Sequence, residues 1–240
     1  MDRCASMFPA GWFTSGPDVL WGMSSTYGFV PYEILPVLPD VPFDGSFSWL
    51  PPLPARRSPL TYEEEHGDGS LASLPRLRAE ARGRGLEIPE VFMRFVATPA
   101  IYERVPSITG CFLGFSMSVV RDPSSSRGGM LRFLNDSQGC AFWYLYMTPS
   151  GDHCILASDQ WLDGGDDEQS ALDPQQCFWC AQSLEHFLYR FWLEDEIWTR
   201  VKRNQPLSPE QQQYLADAIA ARHRLPAPSQ RIDGSHPTRC

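Results

Sequence analysis

From Leu60 onward the apolar positions of this chain recur first with a helical period, then with a strand-like one, then with a helical one again. An arginine-rich stretch that Ser73 can cap predicts a short helix through Arg82, ended by Gly83 and Gly85. Pro89 suits a helix start, and Val91, Phe92, Phe95 and Val96 share one face of a second helix running to about Thr98, where Pro99 would disturb it. Ser107–Ser116 then reads as a strand, as does Met130–Leu134. After the loop Asn135–Gly139 comes Cys140–Met147, apolar on both faces, which belongs in the middle of a covered sheet. A turn at Thr148–Gly151, with proline second, leads into a strand at His153–Ser158. Three strands joined by two short loops make an antiparallel meander.

A further short strand near Cys177–Ala181 precedes Ser183, a good helix N-cap. Beyond it Leu184, Phe187, Leu188, Phe191, Trp192 and Trp198 fall at helical spacing, the strongest single element in the chain. Ser208-Pro209-Glu210-Gln211 is a capping box that opens a helix to about Arg224. The fold class is therefore α+β, an antiparallel meander sheet flanked by helices. It carries a proline- and aromatic-rich N-terminal arm and a C-terminal helix. The arm is residues 1–59, whose ten prolines forbid long helices and central strands while its ten aromatics argue for packing on the domain. The α+β domain spans 60–203, and the capped helix with a loose tail spans 204–240.

Charge changes the picture in one place. The net charge is −9, yet residues 150–196 hold eleven acids against Arg190 alone, so the rest of the chain is close to neutral. Such a surface repels nucleic acid and anionic membranes and attracts a basic partner. The longest apolar run, Ala141–Met147, is too short to span a bilayer, and the start of the chain lacks the apolar core of a signal peptide, so a cytoplasmic location is expected. Seven scattered cysteines, several inside apolar runs, suit buried thiols better than a disulfide framework.

Three strings, in order, resemble the SUKH superfamily, which includes a fungal cell-wall-synthesis regulator and bacterial immunity proteins of toxin systems. They are an arginine-rich helix followed by Leu86–Phe95, then Leu131–Tyr146, then Ser183–Trp198. The resemblance covers roughly Leu71 to Val201. It implies a sheet flanked by helices that binds other proteins without catalysis, and it carries no catalytic residues, cofactor or metal with it.

The one motif with intrinsic chemistry is Cys177-Phe178-Trp179-Cys180. It reads as buried structural thiols, as half a zinc site completed by His153, Cys154 or His186, or as a redox dithiol. The acids Asp163, Asp166, Asp167 and Glu168 read as a solvated loop, as a partner-contact patch with Trp161 as apolar anchor, or as a cation site, although they lack the alternation of a calcium-binding loop. Function is thus expected to be protein binding, as an immunity protein facing a basic toxin domain or as a scaffold, with a thiol or zinc protein as the alternative.

Overall fold

A computed structural model describes residues 6–62, 69–122, 127–163 and 174–225. The chain is mixed α+β. Strands β5 (Gly129–Asn135), β6 (Phe142–Met147), β7 (His153–Ser158) and β8 (Phe178–Ala181) form the antiparallel meander in that order. Two short strands, β3 (Phe112–Leu113) and β4 (Val120–Arg121), both pair with β5 at the opposite edge. The expected long strand over Ser107–Ser116 is thus reduced to two residues. Gly110 takes a positive φ of 73°, which breaks the strand before it can lengthen.

Side chains on the meander alternate between two cores, as the pleat requires. Leu131, Phe133, Trp143, Leu145, Ile155 and Ala157 point to one face. Met130, Tyr144, Tyr146, Cys154 and Leu156 point to the other. The first face is covered by helix α5 (Leu184–Lys202), whose Phe187 ring lies 5.9 Å from both Phe133 and Trp143. Ser183 caps α5 by accepting a hydrogen bond from the His186 amide. Helices α2 (Leu74–Gly83), α3 (Glu90–Ala97) and the short α4 (Pro99–Tyr102) complete that layer, with Phe92 edge-on to Phe133 at 5.3 Å. Pro99 does not merely end α3; it occupies the first turn of α4.

Residues of the first 59 belong to the same core. Strands β1 (Gly11–Thr14) and β2 (Gly28–Pro31) form an antiparallel hairpin around the single-turn α1 (Pro17–Leu20). Ala10 bridges Trp179 in parallel, so the arm continues the sheet beyond β8. Trp12 packs on Phe187 at 5.6 Å, and Phe47 on Phe95 at 5.7 Å. The capping box at Ser208 is present and starts α6 (Pro209–Ala221). That helix joins Leu20, Trp21 and Val30 in a third cluster behind α5, on Tyr189, Leu193 and Ile197. A helix covered by a sheet on one side and by arm and α6 on the other is buried nearly all round, which is why the apolar residues of α5 are not confined to one stripe.

Candidate functional site

The second face of the sheet buries an arginine. Arg132 extends from β5 at the bulge between Arg132 and Leu134, and its side chain is 5% exposed. Its Nε donates to Asp163 Oδ1 at 2.9 Å and its NH2 to Asp163 Oδ2 at 2.8 Å, a two-pronged pair whose carboxylate is itself 3% exposed. The remaining donors reach Asn135 Oδ1 and the carbonyls of Gly114 and Phe115. A β-carbon at Gly114 would fall 2.9 Å from Asn135 Nδ2, so this backbone approach needs glycine. Burying two charges costs several kcal/mol of hydration unless the geometry is good, and here every guanidinium nitrogen has an acceptor.

That buried pair holds an exposed aromatic. The Arg132 guanidinium carbon lies 3.6 Å from the Trp161 ring centroid, and Phe142 meets the same indole edge-on at 5.2 Å. Trp161 nevertheless stays 53% exposed. Tyr144 fixes the backbone on both sides of it, since its hydroxyl donates to Gln160 O at 3.2 Å and accepts from the Leu162 amide at 3.0 Å. Burial holds this phenol well above the ordinary tyrosine range, so it remains a donor. Both ends of the three-residue segment Gln160–Leu162 are thereby anchored, and the indole between them is left facing solvent.

Of the anticipated contact residues the structure brings Trp161 and Asp163 together; Asp166, Asp167 and Glu168 lie outside the described residues. The negative stretch 150–196 is not a uniform surface. Glu185, Glu194, Asp195 and Glu196 are all buried on α5, and Asp163 turns inward. Glu185 accepts from the Gly45 amide and Trp49 Nε1. Glu194 accepts from Trp12 Nε1, Thr14 Oγ1 and Tyr214 Oη, each at 2.8 Å. Asp195 accepts from Ser15 Oγ and the Ile108 amide, and Glu196 pairs with Arg57 at 2.9 Å. These acids fasten the N-terminal arm and α6 to α5. Burial, outweighing those donors, pushes the Asp195 carboxyl up to about 7 and raises Glu194 as well.

The cysteine pair is divided by the sheet. Cys177 belongs to the second-face core with Cys154, and Cys180 to the first, where its thiol donates to Ile155 O at 3.2 Å. Two thiols on opposite faces do not form a dithiol or half a zinc site. Among the described residues no three His, Cys, Asp or Glu side chains gather as metal ligands would. Cys111, Cys154, Cys177 and Cys180 are buried thiols, whereas Cys140 is disulfide-bonded, which departs from the expectation of thiols in the apolar runs.

Arg132, Asn135 and Tyr144 are parts of the site that motif reading does not reach. The available signal was the lone charge in Met130-Leu131-Arg132-Phe133-Leu134, because a charge inside an apolar strand has to find a partner. Among the described residues no helix is long and apolar enough to cross a membrane. No family model, curated protein or solved structure matches the chain.

Proposed function

We propose that this chain is a non-catalytic protein-binding protein of the SUKH kind that engages a basic protein partner, such as a toxin domain, through the segment around Trp161. The observation that carries the reading is the clamp itself. Interface anchors are enriched in tryptophan, and an anchor held in place before binding loses less entropy on association. Here a buried ion pair and a buried tyrosine immobilise an indole that stays half exposed. The resemblance of the three strings to SUKH proteins supports the same class of function. The acids that follow in sequence, Asp166, Asp167 and Glu168, supply the electrostatic steering that favours a basic partner over an acidic one. Interior polar groups favour binding over catalysis, since Arg132 and Asp163 are engaged with each other and Glu194 with Trp12, Thr14 and Tyr214.

The test compares partners recovered by the full chain and by Trp161→Ala, with identification by mass spectrometry and measurement of the purified pair. The expected result is a basic protein bound by the parent chain and weakened by about 100-fold in the variant, the loss of a strong interface anchor. A partner that binds both forms equally would place the interface elsewhere.

A further inference from the structure

A cavity of about 660 Å³ lies between residues 32–43 of the arm and the start of α5. Its volume falls within the range that holds small organic molecules. Gln182, His186 and Arg190, four residues apart, line it as one stripe. Leu38, Val41 and Phe43 supply apolar wall, with the Phe43 ring 4.4 Å from the His186 ring. Arg190 is 5% exposed, yet among the described residues it takes part in no ion pair. Its NH1 donates to Pro36 O at 3.1 Å and to Tyr214 Oη at 2.7 Å. Glu194, one turn along, has both oxygens taken by Trp12, Thr14 and Tyr214, so it favours the charge of Arg190 without contacting it as an ion pair.

Arg190 keeps its charge despite burial, held by Tyr214 and Glu194, and a guanidinium fixed in the wall of a pocket offers a carboxylate a charge-assisted hydrogen bond. We propose that this cavity is a binding site for a small monocarboxylate with an apolar body, its carboxylate on Arg190 and its hydrocarbon against Leu38, Val41 and Phe43. Arg190 is the only cation of the lining at neutral pH. His186 is held below the ordinary imidazole range by burial and by Arg190, and so serves as a neutral hydrogen-bonding wall. Exposed Asp40 on the rim disfavours more highly charged ligands such as phosphates.

The probe is 4-phenylbutyrate, with its neutral amide as control, titrated into the full chain while the His186 and Phe43 ring resonances are followed. The acid is expected to shift them saturably with a Kd of about 1 mM or tighter, and the amide to bind at least about tenfold more weakly. Arg190 also holds Pro36 and Tyr214, so its removal risks the fold, and two other variants carry the test. Val37→Glu, at an exposed position of the lining, places a repelling charge on the rim and is expected to weaken the acid about fivefold while leaving the amide unchanged. Leu38→Trp fills the wall and is expected to abolish both. No saturable shift at about 10 mM, equal affinity for acid and amide, or unchanged binding in Leu38→Trp would each overturn the proposal.

Discussion

Two acid-rich regions look alike in the sequence and behave differently in the molecule. On α5, Glu194, Asp195 and Glu196 are carboxylates turned inward, and apart from Arg200 beside Glu196 the groups they hold belong to the interior or the arm. At the end of β7, Asp163 is also turned inward, but what it stabilises faces out: Arg132 and, stacked on it, an indole 53% exposed. The first region is closed on itself; the second ends at solvent. Charge counted along a chain therefore says little about charge on its surface until the partners of each carboxylate are known.

The largest effects should come from removing either inward carboxylate. Asp163→Ala leaves Arg132 buried and without its counter-ion, and should cost about 3–5 kcal/mol in a denaturant titration. Glu194→Ala strands Trp12 Nε1, Thr14 Oγ1 and Tyr214 Oη together, and should cost about 3 kcal/mol. The two losses should differ in place. Hydrogen exchange is expected to quicken at β1 and α6 in Glu194→Ala, and around 160–163 in Asp163→Ala. Identical exchange patterns would erase the distinction between the regions.

A smaller effect separates them by pH. In the folded chain Asp195 titrates at about 7, raised from 3.8 by burial, so the native state holds a proton that the unfolded chain has already released. The stability this brings is complete at acid pH below the unfolded value and is lost as pH rises through the folded one. Between about pH 5 and pH 7 stability should fall by about 2 kcal/mol, with Glu194, shifted in the same direction, adding to the slope. Asp195→Asn should flatten the curve. A parent chain whose stability is level or rises across that window would show the α5 acids to be solvated.

Much of the scaffold was legible because periodicity reports it. The meander follows from runs apolar on both faces, and the Ser183 cap and the Ser208 capping box are visible as local chemistry. The hairpin of β1 and β2 was not legible, because its four-residue strands lie among prolines and owe their position to Trp12, Thr14 and Ser15 meeting α5 about 180 residues away. For the same reason the acids of α5 read as surface: nothing local distinguishes a carboxylate with distant donors from a solvated one. At the candidate site Trp161 and Asp163 stood out by residue type. Arg132 and Tyr144, which position them, did not, since their roles depend on which strands become neighbours.

The smallest effect sharpens the comparison most. Among the described residues Trp161 loses its stack on Arg132 and its edge contact with Phe142 when cut to alanine, and such contacts at exposed sites are worth about 0.5–1 kcal/mol. Trp161→Ala should therefore lower stability by no more than about 1 kcal/mol, several-fold less than Asp163→Ala, although the two side chains stand on the same guanidinium. The asymmetry has a direction. The ion pair is needed whether or not the indole is there, whereas the indole is held only while the pair is intact. In a double-mutant cycle, the loss caused by Trp161→Ala should shrink toward zero in an Asp163→Ala background, because an Arg132 without its carboxylate is no longer fixed beneath the ring. If instead Trp161→Ala costs as much as Asp163→Ala, the indole is a lid over a buried charge. Its half-exposed face would then be incidental, and the case for an outward-facing anchor would be lost.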